Sequence, residues 1–309
     1  MSLTLSDRFR VGTHVVYPPF KKGRYMEEFF FDYFQQNKSS FAETGFIYIP
    51  AFWTNFQIDE HFPKYKDALQ QELDEAVKQF PETTKFFTVV QYDDAVRLTL
   101  PKNTLVFGAC SGHIPLPLIY EDITQSLDNI PKVSFSDKPA LASFVGSVTS
   151  PARHALYNFQ KTSGAPWFIN TCDWTNNVRQ DRAILYADVS RQSKFVFAPR
   201  GYGRSSFRFF EVFKLGSIPI YIWDDVEWLP YKDELNYENF CISVHVNDIA
   251  SLQGKLGSIT EDTYNNMIEN YKKVKEYFTL PGMSDYILEY LKKNSTLDIQ
   301  SISYYKGQV

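Results

Sequence analysis

Three cysteines in 309 residues, Cys110, Cys172 and Cys241, are too few, too far apart and odd in number for a disulfide framework. No CxxC pair suggests a structural zinc, and no Asp/Glu/His set has the spacing of a dedicated cation site. No apolar run approaches the ~18–20 residues that span a bilayer. The first ten residues, MSLTLSDRFR, lack the apolar stretch of a signal peptide. A soluble, cytoplasmic protein of a reducing compartment is therefore expected. Basic excess is missing too: the net charge is −4, which argues against nucleic acid as a partner. The chain shows no repeat, no low-complexity tract, no Gly-Lys-Ser/Thr phosphate loop and no GxGxxG fingerprint.

What is present is an apolar, aromatic chain. Hydrophobic residues make up 44% and aromatics 17%, which excludes disorder. The length suits two domains. Strands at 12–17, 46–50, Lys85–Val90 and Thr104–Gly108 alternate with helices over Met26–Gln36 and 62–80. Such alternation predicts mainly parallel sheets covered on both faces. The polar, proline-bearing stretch NIPKVSFSDKP, residues 129–139, is the expected linker. The expected domains are 1–135, 136–282 and a C-terminal helix and tail, 283–309, packing back on the first lobe. A second α/β unit opens at 141–146. Helices follow at 261–278 and, beyond a break at Pro281-Gly282, at 284–293.

The densest signal is FVFAPRGYGRSSFRFFEVFKLGSIPIYIW, residues 195–223. It reads as a buried strand, a glycine-rich basic loop, a helix and a second strand, Ile218–Trp223. Gly201 and Gly203 let the loop bend. Ser205 or Ser206 can cap the helix, whose apolar positions are Phe207, Phe210, Phe213 and Leu215, and Gly216 ends it. A helix N-terminus after a glycine turn offers N–H groups and a positive dipole to an anion. Arg200, Arg204 and Arg208 flank it. Arg204, Arg208 and Glu211, spaced four and three apart, are expected on one helix face. The arginines suit a diphosphate and the carboxylate suits ribose hydroxyls. The plainer alternative is an Arg–Glu surface pair beside an ordinary turn.

This stretch, with WDDVEWLPY after it, resembles the signature region of the exostosin-type glycosyltransferases, family 47. Weaker likeness extends to YMEEFF at 25–30 and SFVGS at 143–147. The chain looks most like the small soluble members found in large algal viruses and microbes, which allows a virus-encoded enzyme of the host cytoplasm. The resemblance implies a GT-B fold of two Rossmann-like lobes with a cleft between them. It also implies inversion at the anomeric carbon and a UDP-sugar donor held by Arg200, Gly201, Gly203, Arg204, Ser205, Ser206, Arg208 and Glu211. A glycan hydroxyl, on an oligosaccharide or a glycoprotein, is the implied acceptor, and UDP-xylose is the first choice among donors.

No cofactor is required on this reading and a divalent metal is not essential, because Arg208 and its neighbours neutralise the leaving diphosphate. Asp93 and Asp94, after the strand Lys85–Val90, are the candidate bases, since the carboxyl edge of such a sheet faces its ligand crevice. His14, His113 and Glu121 are the rivals. Asp224 and Asp225 are either a loop that contacts the sugar or a solvated turn. A GT-like module that binds glycan or nucleotide without turnover is the alternative. A phosphotransferase or epimerase is weakened by the missing fingerprints.

Overall fold

In the computed structural model, which describes residues 1–13 and 15–307, the chain folds as two α/β units. One comprises Met1–His14, Arg24–Glu121 and Tyr277–Val309, and the other Val15–Gly23 and Asp122–Glu276.

The first unit is a parallel sheet of β1 (Phe46–Tyr48), β2 (Lys85–Val90), β3 (Thr104–Gly108) and β4 (Ile114–Pro115), in that spatial order. Helices α1 (Met26–Gln36), α2 (Lys38–Ala42), α3 (Trp53–Gln57) and α4 (Phe62–Val77) accompany it. Phe30 and Phe34 of α1 pack on Phe41, Tyr48 and Phe87, with ring centroids 4.7 to 6.4 Å apart. All five rings are fully buried, each contributing about 1.5–3 kcal/mol. Much of the aromatic content is thus core. The helix Leu280–Lys293 belongs to this unit and meets α1, where Tyr33 donates a hydrogen bond to Asp285. Pro281 sits in that helix's first turn, where its missing N–H costs nothing, so the helix begins at Leu280 and takes in the Pro281-Gly282 pair that was expected to precede it. The expected strand at 12–17 is also absent: residues 12, 13 and 15–17 are irregular, and position 14 lies outside the described residues.

Glu27 is a buried ionisable side chain of this unit. Its carboxylate accepts from the N–H groups of Gln91 (2.7 Å) and Thr54 (2.9 Å) and from the Thr54 hydroxyl (2.9 Å), tying α1 to α3 and the end of β2. Burial, only partly opposed by these donors, raises its pKa from 4.5 to about 8. The folded state therefore holds a proton that the unfolded chain releases. That stability is fully present below about pH 4.5 and is lost as the pH rises towards 8. We expect a lower melting temperature at pH 8.5 than at pH 6. The slope should flatten in Glu27→Gln, as thermal denaturation across a pH series will show.

The second unit is a five-stranded parallel sheet of β5 (Ala140–Ser147), β6 (Phe168–Cys172), β7 (Ser193–Pro199), β8 (Ile218–Trp223) and β9 (Ile242–His245). The helices α5 (Pro151–Ser163), α6 (Gln180–Arg191), α7 (Phe207–Lys214), α8 (Leu252–Ser258) and α9 (Glu261–Val274) accompany it. Phe195 and Phe197, Ile218, Ile220 and Ile222 put a fully buried row on the inner strands. Residues 122–135 join this unit, because Leu127 and Ile130 pack on Val145, Tyr186 and Leu215. Lys138, in the expected linker, is buried and donates to the Arg191 carbonyl and the Ser217 hydroxyl. The division between units accordingly falls at 121/122 and not inside 129–139.

Candidate functional site

Spatially the second sheet runs β6-β5-β7-β8-β9, the doubly wound order 2-1-3-4-5. β5 and β7 pair in parallel, but the order of winding across the sheet reverses between them, so their carboxyl ends, Ser147 and Pro199, open the crevice where such sheets take ligands. Two helices start there. Ser150 caps α5 by accepting from the Arg153 N–H, with Pro151 in the first turn. Ser206 is the N-cap residue of α7, but its hydroxyl makes no capping bond. Both N-termini bring positive potential to one crevice.

Four arginines converge on it, and their surroundings differ. Arg200 is 4% exposed and forks onto Asp224; with bonds to the carbonyls of Gly201 and Tyr202, four of its five donors are committed. Arg204 lies in the loop before α7, not on its face, and its Nε donates to Asp225 at 2.7 Å. Its carbonyl accepts from the Tyr221 hydroxyl at 2.6 Å. The acidic pair Asp224–Asp225 is thus the loop's counter-charge. Asp224, whose side chain is 12% exposed, is an ion-pair anchor for Arg200 and not a solvated turn residue.

Arg208, in the first turn of α7, is arranged otherwise. Its Nη2 donates to the Val145 carbonyl at 2.7 Å, and its guanidinium lies 4.7 Å from the Phe144 ring and 5.2 Å from Tyr186. Its Nε is buried with no hydrogen-bond partner, and among the described residues it forms no ion pair. Gly146 makes room for it: a Cβ there would come within 2.5 Å of Nη2. Gly146→Ala should therefore displace the guanidinium and depress function with little loss of fold. The check is a melting temperature within a few degrees of wild type beside a lower activity.

Arg153, which sequence spacing did not reveal, is the fourth. It is 8% exposed, and its Nε and Nη1 donate to the carbonyls of Arg200 (3.1 Å) and Ser147 (2.9 Å). The Ser150 hydroxyl also donates to the Arg200 carbonyl. Arg153 thus ties the ends of β5 and β7 together. The one sequence signal for it was Ser150-Pro151, a helix start directly after the SFVGS strand.

Glu211, one turn beyond Arg208, is 7% exposed. Burial raises the titration of Tyr186 most; the Glu211 charge raises it further and the Arg208 charge opposes this, so the three groups are close neighbours. Gly201 donates its N–H to the Ser205 carbonyl at 2.9 Å, closing the loop. Gly203, Ser205 and Ser206 are buried within it.

In the first unit, Asp93 and Asp94 form a half-buried turn three and four residues beyond the end of β2, and Ala95 follows with φ 64°. The tail crosses this turn so closely that a Cβ on Gly307 would lie 2.3 Å from the Asp94 Cα. The rivals are occupied. His113 accepts the Val106 N–H through Nδ1 at 3.0 Å, and burial lowers its pKa to about 4. Glu121 accepts two bonds from the Arg24 guanidinium, at 3.0 and 2.6 Å. His14 lies outside the described residues. No group of three His, Cys, Asp or Glu side chains among the described residues is placed to hold a metal. No helix among them is long and apolar enough to cross a membrane.

A doubly wound parallel unit with two helix N-termini and clustered arginines at its switch point belongs to the class that holds small anionic ligands. Together with the parallel first unit it supplies the two Rossmann-like lobes of the GT-B class. The exostosin GT47 domain matches residues 103–260, half of the chain, and the chain belongs to that family. A "Probable glycosyltransferase" of Arabidopsis thaliana is 32% identical over 143 residues, covering 46% of this chain and 26% of the relative. An "Exostosin-1 homolog" of Caenorhabditis elegans is 27% identical over 164 residues, covering 48% and 41%. The matches thus span well under half the length of either relative. Among solved structures, TarM aligns with a TM-score of 0.37 and 8% identity over 72% of this chain and 58% of its own.

Proposed function

We propose that this protein is an inverting glycosyltransferase that moves a sugar from a UDP-sugar to a glycan hydroxyl. The observation that carries this reading is Arg208, a half-buried cation with no ion pair among the described residues, held at the start of α7 where the sheet's switch point opens. A leaving diphosphate develops charge there as the bond between the anomeric carbon and the phosphate oxygen breaks. Arg208 and the amide dipoles of α7 stabilise that charge. The acceptor oxygen attacks the opposite face of the anomeric carbon and gives its proton to a base, for which Asp94 or Asp93 is proposed. Glu211 accepts from the ribose. Arg200, Arg204 and Arg153 hold the loop and strand ends through the bonds described above, so their contribution to binding is positional. Ser205, Ser206, Gly201 and Gly203 shape the same cradle. No metal is invoked; UDP-xylose is the donor proposed first, and the acceptor is an oligosaccharide or a glycoprotein glycan.

The test is UDP release from UDP-xylose, UDP-glucuronate, UDP-galactose and UDP-arabinose against a glycan acceptor panel, with and without Mn²⁺. Proton NMR of the product then reports the anomeric configuration. A product inverted relative to the donor and formed in EDTA is expected. A retained configuration, or no transfer from any of the four donors, would contradict the proposal.

A further inference from the structure

We infer that Trp174, in the loop between β6 and α6, is a stacking platform for a pyranose ring of the glycan acceptor; this rests on the glycosyltransferase reading. β6 ends at Cys172, so the loop that follows leaves the sheet at its carboxyl edge, the same edge as the Arg208 crevice. Trp174 is 59% exposed there, whereas Trp53, Trp167 and Trp228 are buried. The Asn177 N–H donates to the Thr175 hydroxyl at 3.0 Å, a local turn that fixes the backbone beside the indole.

A run of rings joins this indole to the anion site. Its centroid is 6.5 Å from that of Tyr17, which is 6.0 Å from that of Phe207. Phe207 is the first residue of α7 and precedes Arg208. The aromatic surface therefore begins where the diphosphate would sit and runs outward to solvent. Asp173, Asn176 and Asn177 are exposed around Trp174. Carboxylate and amide groups beside an open aromatic face match a sugar, whose ring presents C–H groups on one face and hydroxyls at its rim. A nucleobase fits less well, because Trp174 is 59% exposed and so offers an open surface. Openness suits a ligand whose remainder continues into solvent, as a glycan chain does.

The test uses the full chain as wild type, Trp174→Ala and Trp174→Phe. An array of α- and β-linked pyranose oligosaccharides probes glycan binding, calorimetry with UDP probes the nucleotide site, and sedimentation reports oligomeric state. Trp174→Ala should weaken binding to the captured glycans roughly tenfold, Trp174→Phe should restore most of it, and UDP affinity should be unchanged in both. Equal glycan binding by Trp174→Ala would overturn the inference, as would a wild type that captures no glycan. A parallel loss of UDP affinity would make the ring a nucleobase platform instead, and a change in oligomeric state would make it a subunit contact. Absence of UDP binding in all three proteins would count against the donor-site reading, while the glycan arm reports on Trp174 separately.

Discussion

Arg208→Ala will lower kcat/KM for sugar transfer by roughly 100- to 1,000-fold, the loss that follows removal of one donor to a developing oxyanion, about 3–4 kcal/mol. The guanidinium lies over Phe144 and bonds one backbone carbonyl, and its Nε has no partner. Removing it leaves no carboxylate stranded, so the fold should persist with a modest drop in melting temperature. Arg208→Lys keeps the charge but not the planar fork, and should recover only part of the rate. Steady-state kinetics on the donor identified by UDP release, beside circular dichroism, checks both halves. A stable Arg208→Ala enzyme with unchanged kcat/KM would show that the leaving diphosphate is neutralised elsewhere.

Arg200 will behave in the opposite way. Its side chain is 4% exposed and that of Asp224 12%, and the two form a forked ion pair inside the loop. Arg200→Met strands a mostly buried carboxylate and frees the carbonyls of Gly201 and Tyr202, at a cost of about 3–5 kcal/mol in folding stability. The double variant Arg200→Met/Asp224→Leu should regain much of that loss, since it removes both charges together. Urea unfolding midpoints of the two variants measure the difference. A single variant that unfolds with the wild-type midpoint yet fails to bind UDP would make Arg200 a direct ligand of the diphosphate.

Similar arginines thus divide into three that hold the loop and strand ends and one, Arg208, that is proposed to bind the ligand, and the division was hidden from the sequence. Arg200 and Asp224 lie twenty-four residues apart, on the loops after two adjacent strands, and only the parallel pairing of β7 with β8 brings them together. Arg153 was hidden for the same reason, being forty-seven residues from the carbonyl it grips. The strands Lys85–Val90, Thr104–Gly108 and Ile218–Trp223 were legible because buried parallel strands are continuous apolar runs. FINTC and ISVH, the edge strands β6 and β9, mix polar with apolar residues and carry no such signal. GTHVVY gave a false one: its β-branched and aromatic residues favour a strand, but among the described residues no strand forms there. The start of α7 read true at Ser206, while Arg204 did not join its face because the helix begins at Phe207. Glu211 is buried rather than on an open surface, since Phe209, Phe210, Val212 and Phe213 around it are buried as well.

On the proposed reading, the β7–α7 loop and Arg208 hold a nucleoside diphosphate. Calorimetric titration of UDP into the wild type and Arg208→Ala, in EDTA and in Mn²⁺, tests it most directly. UDP should bind the wild type equally well with and without metal, and at least tenfold more weakly in the variant. Equal affinity in the two proteins, or no binding of UDP by the wild type, would contradict it.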